Sequence, residues 1–422
     1  MLLNNIGAFL KKATGAGSSM LLHSATLFIR LKFIAIASGA SGVGLLSIVQ
    51  AHQNIFTGLA SLSAGNAFTR DIAKNMSDDS PDLVLNLCIF MGLVLGGILS
   101  VAAGVLWVLT YDVSNEALAW FFAVFLAVFA TANLNQITYS LRGLNRIDCI
   151  MRISSFNFFL STFFFLIFYT LGFDQVWIYF TIIPISTIIV LTIIPEVRKL
   201  YTKKILSISW LDLFAYLKKN NISALFLSAI FVTVSQLTYR LIIGDRFGLT
   251  ELGYFQTAWM FSALVMMVNT SIMSSVYLPA ISNPIKLEFN RSILHTSRQI
   301  LLNLAILGSA FIIFYFAGSY FIKILASDEL LPATPIVFAL FSIDAIRCIV
   351  SPLGYFAFSK GDVVSFVGID IIGGLVSLIV LLFYIESSLV SVIFWSQGIA
   401  AVLALLFILF RLLNNKIFLN KL

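Results

Sequence analysis

Apolar runs of about 20 residues recur along almost the whole chain, and they limit the possible fold more than any other feature. They lie near residues 14–37, 43–67, 83–108, 117–141, 153–172 and 176–194, and again near 220–243, 253–281, 299–322, 334–358, 363–385 and 389–410. Each run can cross about 30 Å of hydrocarbon as a helix. Of the 422 residues, 60% are hydrophobic and 11% are charged, whereas about a quarter are charged in a soluble domain. The sequence therefore predicts an all-α integral membrane protein of about twelve transmembrane helices.

The lysines and arginines between the runs predict the orientation, because cytoplasmic loops are enriched in these cations. With the N-terminus inside, twenty cations fall in inner segments and only Arg246 and Lys323 fall in outer loops. This difference predicts that both termini are cytoplasmic. The net charge of +7 is then an insertion signal, and no nucleic-acid partner is expected.

The two halves of the chain share a weak repeat. Lys32 precedes Gly44 by 12 residues, Arg240 precedes Gly253 by 13, and the loops 143–148 and 357–362 are alike, all at offsets of 208 to 214 residues. An even number of spans in each half predicts two six-helix lobes related by a pseudo-two-fold axis along the membrane normal. Substrate would then bind between the lobes.

The longest hydrophilic stretch separates the two halves. Its apolar residues are spaced for an amphipathic helix that lies on the inner membrane surface. The predicted domains are therefore an N-terminal lobe over residues 1–194, a cytoplasmic amphipathic linker over 195–219 and a C-terminal lobe over 220–422.

Four cations lie inside predicted spans: Arg30, Lys32, Arg240 and Arg347. Charges within a membrane usually face a partner or a wet cavity, although long side chains near a helix end can reach the interface instead. Asp344 and Asp370 are acids well within spans, which makes them candidates for coupling to ions. Asp344 is also placed to pair with Arg347 one helical turn away. Four cations against two acids favour an anionic substrate such as a phosphate.

Polar residues follow one face of each of the first two spans. Ser19, His23, Thr26 and Arg30 form the first stripe, and Ser47, Gln50, Asn54, Thr57 and Ser61 form the second. Such stripes line a cavity or join helices by hydrogen bonds. We predict that His23, Gln50, Asn54 and Thr57 line a polar cavity. Lys32 lies almost opposite Arg30 on a helix, so periodicity favours Arg30 for the cavity, whereas the internal repeat favours Lys32.

Motifs of soluble catalytic sites do not occur in the sequence. There is no Walker A loop, no HExxH and no GxSxG, and His52 and His295 are isolated. The sequence therefore predicts no enzyme activity, no metal site and no cofactor. Active transport would use a proton or sodium gradient.

The chain resembles the lipid-linked oligosaccharide flippases of the multidrug/oligosaccharidyl-lipid/polysaccharide (MOP) exporter superfamily, above all the Wzx-type flippases of bacterial O-antigen and enterobacterial common antigen. The resemblance covers essentially the whole chain. It is carried by the segment 32–44, by Ala64-Gly65 and Arg70-Asp71-Ile72-Ala73, by Tyr239-Arg240 with Glu251-Leu252-Gly253, by Tyr277-Leu278-Pro279-Ala280-Ile281-Ser282, and by Asp344 with Arg347.

This resemblance implies two lobes around a cationic cavity, in which Arg30, Lys32, Arg240 and Arg347 would receive a diphosphate. The substrate would be an undecaprenyl diphosphate-linked oligosaccharide, flipped from the cytoplasmic to the periplasmic leaflet of the bacterial inner membrane by alternating access. A polysaccharide polymerase and a chain-length regulator would be partners.

Three alternatives remain. The first is a drug or metabolite exporter of the same superfamily, and the second is a peptidoglycan-precursor flippase, which typically has two more helices. The third is a membrane glycosyltransferase or polymerase, for which the loops are short.

Overall fold

The structure is a computed structural model that describes residues 2–61, 64–75, 82–111, 116–201, 208–219, 222–277, 281, 289–360 and 362–414. Every regular element within these ranges is a helix. Ten helical segments among them are long and apolar enough to cross a membrane. The chain is therefore a multi-pass membrane protein, as its apolar runs predict.

The first half of the chain contains the helices α1 to α9. They are α1 (Leu2–Ser61), α2 (Gly65–Asn75), α3 (Asp82–Phe90), which continues through a π-helical turn (Met91–Leu95) into α4 (Gly96–Thr110), α5 (Ala117–Gly143), α6 (Ile147–Thr170), α7 (Val176–Ile193), α8 (Pro195–Arg198) and α9 (Trp210–Lys219).

The second half contains the helices α10 to α15. They are α10 (Ile222–Phe247), α11 (Leu249–Ile272) with a π-helical turn (Met273–Tyr277), α12 (Phe289–Leu325), a 3-10 helix (Asp328–Ala333), α13 (Thr334–Ser359), α14 (Val363–Tyr384) and α15 (Leu389–Asn414).

As far as the described residues go, each of the twelve predicted spans falls on a helix, so the predicted all-α membrane fold is confirmed. The apolar segment Leu21–Ser61 holds two of the spans, separated at Gly39. α11 is not among the ten most apolar segments, because polar residues such as Gln256 and Asn269 lower its hydropathy. It nevertheless occupies the predicted eighth span.

One glycine lies at the first turn between spans in each half of the chain. Gly39 has φ 65° and ψ −164°, and Gly248 has φ 91° and ψ 165°. Almost only glycine adopts these backbone angles, because a Cβ atom would clash with the backbone of the residue itself and of its chain neighbours. The two residues are 209 positions apart, within the range of offsets of the sequence repeat. The repeat is therefore visible in the local backbone as well as in the sequence.

An aspartate begins the fifth span of each half. Asp148 lies in the first turn of α6, where its Oδ2 accepts a hydrogen bond from Arg152 Nη2 at 3.1 Å. Asp362 is the N-cap of α14, and its Oδ1 accepts a hydrogen bond from Ser365 N at 3.0 Å. Carboxylates at these positions also stabilise the helix dipole. The loops that are alike in sequence thus both place an aspartate at the start of a helix, although only Asp362 caps it.

The described helices group into two compact units. One is Leu22–Leu237, and the other is Met1–Leu21 with Thr238–Leu422. We call them the N-terminal unit and the C-terminal unit. The N-terminal unit includes the linker helix α9, whose Leu213 is buried in a core with Phe68 of α2 and Leu87 of α3. The predicted lobe boundaries and the pseudo-two-fold axis stay predictions.

Candidate functional site

Arg30 lies deep in the N-terminal unit. It is in the first half of α1, only 4% of the residue is exposed, and its Cζ lies 5.6 Å from the centre of the Phe180 ring on α7. A guanidinium at this distance from an aromatic ring gains a cation–π interaction. Within the described part of the chain, its Nε has no hydrogen-bond partner. A buried donor of this kind leaves Arg30 able to bind an anion.

The other residues of the first stripe have different surroundings. Thr26 is buried, and its hydroxyl donates a hydrogen bond to the carbonyl oxygen of Leu22 at 3.0 Å, within its own helix. His23 is partly buried, and the side chain of Ser19 lies outside the described residues. Lys32 is also partly buried, on the other side of the helix from Arg30. Arg30 is thus the more deeply buried cation of the two.

The side chains of the second stripe differ in their burial. Gln50 is partly buried and Asn54 is exposed, whereas Thr57 is buried and its hydroxyl donates a hydrogen bond to the carbonyl oxygen of Asn54 at 3.2 Å. Ser47 is fully buried. The stripe therefore combines packed positions with one open position, and the assignment of His23, Gln50, Asn54 and Thr57 to a cavity stays a prediction.

Arg240 of the C-terminal unit lies against two aromatic rings of α11. Its Cζ is 5.3 Å from the ring centre of Trp259 and 5.8 Å from that of Phe255, and the residue is 5% exposed. The neighbouring Tyr239 is buried, and its hydroxyl lies 2.8 Å from the Oγ of Ser396 on α15. The aromatic rings compensate part of the cost of burying this charge.

Arg347 belongs to a hydrogen-bonded network that joins three helices. Its Nη1 donates to Asp344 Oδ1 at 3.0 Å, and its Nη2 donates to Gln397 Oε1 on α15 at 2.6 Å. The hydroxyl of Ser262 on α11 donates to the other carboxylate oxygen of Asp344 at 2.5 Å. The predicted pair of Asp344 with Arg347 is confirmed. The charge of Arg347 is therefore partly neutralised, which weakens it as a site for a diphosphate.

A buried polar cluster continues from this network along α11, α12 and α13. Gln299 Nε2 donates to Asn303 Oδ1 at 2.8 Å, and Asn269 Nδ2 donates to the Sγ of Cys348 at 3.4 Å. All four residues are buried. Asp370, the second candidate for ion coupling, is partly buried on α14. The structure thus places Asp344, and not Asp370, in the fully buried polar interior of the C-terminal unit.

Sequence reasoning missed several residues around these charges. Trp259, Ser262 and Gln397 contact Arg240, Asp344 and Arg347, respectively. The sequence did contain a signal for these three residues, because each is a polar or amphipathic side chain within an apolar span. The residue that contacts Arg30 is Phe180, one of 40 phenylalanines. No sequence signal separates it from the others.

Neither a known family model nor a curated protein sequence matches the chain. Solved structures do match it. An inward-facing multidrug resistance MATE family transporter of the MOP superfamily is 15% identical, with a TM-score of 0.68 and coverage of 94% of this chain and 95% of the other. A MATE protein in complex with MaL6 is 13% identical, with a TM-score of 0.70 and coverage of 97% and 96%.

A third match is a MOP superfamily transporter from Pyrococcus furiosus, described as having a binding pocket of reverse polarity that suggests a different function. It is 15% identical, with a TM-score of 0.69 and coverage of 97% of this chain and 96% of the other. Structural similarity at identities this low establishes the architecture, but it does not identify the substrate. The chain therefore has a fold like that of these transporters.

Proposed function

We propose that this chain is a secondary transporter in the membrane, and that its substrate is a polyprenyl diphosphate carrying an oligosaccharide. The substrate moves from the cytoplasmic to the periplasmic leaflet by alternating access, without covalent chemistry. The observation that carries this proposal is Arg30, a buried guanidinium whose Nε has no hydrogen-bond partner among the described residues. Leaving a buried donor unsatisfied costs about 1–3 kcal/mol, and more for a charged group. An anionic ligand would remove this cost.

A diphosphate fits this requirement better than a neutral sugar does. Opposite unit charges 4 Å apart attract by about 4 kcal/mol at an effective dielectric constant near 20. A guanidinium can also donate two parallel hydrogen bonds to phosphate oxygens, which fixes the headgroup. The proposal therefore assigns Arg30 to the diphosphate and the partly open positions Gln50 and Asn54 to the sugars.

The C-terminal unit supports the same substrate charge. Arg240 lies in this unit, and both Arg30 and Arg240 are buried against aromatic rings. Arg347 contributes less, because Asp344 offsets its charge. A few cations suffice, since a site that holds the headgroup too tightly would not release it.

The second candidate function is efflux of a drug or metabolite, driven by a proton or sodium gradient. The observation that favours it is Asp344, whose side chain is completely buried. One solved structure of similar fold is described as a multidrug resistance transporter. Another is described as having a binding pocket of reverse polarity, so this fold is compatible with pockets of different charge.

Reconstituted vesicles separate the two functions. We expect the protein to move a fluorescent polyprenyl diphosphate oligosaccharide between leaflets, and Arg30→Gln to slow this movement at least about tenfold through loss of one charge-assisted contact. Arg30→Lys keeps the charge and should retain part of the rate. Arg298→Gln, which removes an exposed cation of α12, is the matched control and should leave the rate unchanged.

Two outcomes would contradict the proposal. One is a normal flipping rate in Arg30→Gln together with loss in Lys32→Gln, which would transfer the role to Lys32. The other is transport of an organic cation with no movement of the lipid diphosphate, which would favour the exporter. Membrane abundance of each variant is measured in parallel, so that loss of folding is recognised.

A further inference from the structure

The linker helix α9 starts with its own N-terminal cap. Ser209 N donates to Asp212 Oδ2 at 3.2 Å, and Asp212 N donates to Ser209 Oγ at 3.1 Å. These reciprocal bonds form a capping box, which satisfies two backbone donors that a short helix would otherwise leave open. α9 is therefore specified locally by its sequence.

One side of α9 is fixed to the N-terminal unit. The Tyr216 ring stacks on the Phe68 ring of α2, with centres 5.0 Å apart and planes inclined by 4°. The Tyr216 hydroxyl donates to Asp71 Oδ2 at 3.0 Å, and Leu213 is 1% exposed. These contacts set the rotation of the helix about its axis, so its open side is a preformed surface.

The open side carries large apolar side chains. Leu211 is 78% exposed, Phe214 is 63% exposed and Trp210 is 43% exposed. The Trp210 ring lies edge-on to Phe90 of α3, with centres 5.4 Å apart. Phe90 belongs to the segment Leu83–Thr110, which is long and apolar enough to cross a membrane, so Trp210 packs against a membrane-spanning helix. The exposed apolar side chains of α9 thus lie beside a helix that can cross the membrane.

Cations accompany these apolar residues. Arg198 and Lys199 at the end of α8 and Lys218 on α9 are exposed in the same unit. All three belong to the segments that the positive-inside rule assigns to the cytoplasm. Aromatic and leucine side chains beside exposed cations are typical of helices that bind anionic membrane surfaces.

We propose that α8 and α9 form a binding surface for anionic phospholipids of the cytoplasmic leaflet. Trp210, Leu211 and Phe214 insert below the headgroups, and Arg198, Lys199 and Lys218 contact the lipid phosphates. A soluble partner protein fits less well, because Trp210 packs against a helix that can cross the membrane. This inference is independent of the transported substrate.

Spin labels on single cysteines test the insertion. The protein is placed in nanodiscs, and the accessibility of each label to oxygen, which concentrates in hydrocarbon, is compared with that to a neutral nickel chelate, which stays in water. We expect a high ratio of oxygen to chelate accessibility at positions 211 and 214. Position 146, an exposed residue in the turn between α5 and α6, is the control and should give a low ratio. Equal ratios at all three positions would overturn the insertion.

The lipid selectivity has its own test in the same samples. Adding phosphatidylglycerol to phosphatidylcholine nanodiscs should raise the ratio at position 214 by about threefold, because three cations attract the anionic surface. The variant Arg198→Gln, Lys199→Gln, Lys218→Gln should lose this response and keep the ratio seen in phosphatidylcholine. Two results would overturn the selectivity. One is an equal response to phosphatidylglycerol in the triple variant, and the other is no response in the protein that keeps all three cations. Flipping assays are not needed for either readout.

Discussion

Arg347 and Asp344 lie one helical turn apart on α13, and the Nη1 of Arg347 donates to the Oδ1 of Asp344 across 3.0 Å. The Asp344 side chain is completely buried, whereas the Arg347 side chain is 27% exposed. Removing one partner of a buried pair leaves the other charge without compensation, which usually costs about 3–5 kcal/mol. The partial exposure of Arg347 reduces that cost through solvent screening.

We therefore expect Asp344→Ala to lower the free energy of unfolding by about 2–3 kcal/mol. Arg347→Ala should cost more, about 3–5 kcal/mol, because it leaves the completely buried Asp344 without its partner. The double variant should lose less than the sum of the two, because the single changes each leave a charge unpaired. Thermal unfolding of the three purified variants in detergent measures this. Additive losses would mean that the pair contributes nothing beyond its separate packing.

Ion coupling distinguishes Asp344 from Asp370. Asp344→Asn keeps the shape of the side chain and one oxygen that can accept from Arg347, but it cannot take up a proton or bind a cation by charge. We expect this variant to fold normally and to lose gradient-driven transport. Asp370→Asn, on a partly buried position of α14, is the comparison. Normal transport by Asp344→Asn would exclude it as the coupling group, and loss only in Asp370→Asn would transfer the role.

The topology is tested by labelling from one side of the membrane. Asp328 and Lys218 are both exposed, and the cation count assigns them to opposite sides. A cysteine at position 328 should react with an impermeant maleimide added to sealed right-side-out membrane vesicles, and a cysteine at position 218 should react only after the vesicles are opened. The reverse pattern would invert the predicted orientation. Lys203, on the same predicted side as Lys218, lies outside the described residues.

A substitution at Gly248 should strain the backbone without causing a clash with neighbouring side chains. Its φ of 91° disfavours any residue with a Cβ atom, yet no atom lies within 4 Å of the position that a Cβ would occupy. Gly248→Ala should therefore destabilise the protein by about 1–3 kcal/mol through backbone strain alone. Gly308→Ala is the matched control: it also has open space but lies within α12, where alanine should be neutral or stabilising. Equal unfolding temperatures for the two variants would contradict this account.

The cap of α14 predicts an acid-sensitive contribution to stability. Burial raises the pKa of the Asp362 carboxyl, but hydrogen bonds from Ser365 and Arg411 outweigh burial, and the net pKa is lower than its ordinary value. Because the folded pKa is the lower one, the contribution is complete above the unfolded pKa of about 4 and is lost as the pH falls through the folded value.

Unfolding temperatures measured from pH 6 down to pH 3 check this prediction. The difference between the original protein and Asp362→Asn should be largest near pH 6 and should shrink below pH of about 4. A difference that does not change with pH would show that the carboxylate charge is irrelevant to the cap.

The sequence by itself determined the membrane fold, because its evidence is local. Each span depends on a run of apolar residues that hydrocarbon accepts, and a turn such as that at Gly39 depends on one backbone conformation. The pair of Asp344 with Arg347 was also predictable, since residues three apart on a helix lie on the same face. The cap that Asp362 gives to α14 is likewise local, since it depends on residues three apart in the sequence.

Only the tertiary structure decided which charges are buried and what they contact. Arg30 and Lys32 are two residues apart and similar in the sequence, but Arg30 packs against Phe180 of a helix 150 residues away, whereas Lys32 is only partly buried. Arg240 lies against Trp259, and Arg347 donates to Gln397 of α15. These contacts depend on how helices distant in the sequence pack together. Composition and periodicity specify which face of a helix turns inward, but not which side chain of another helix it meets there.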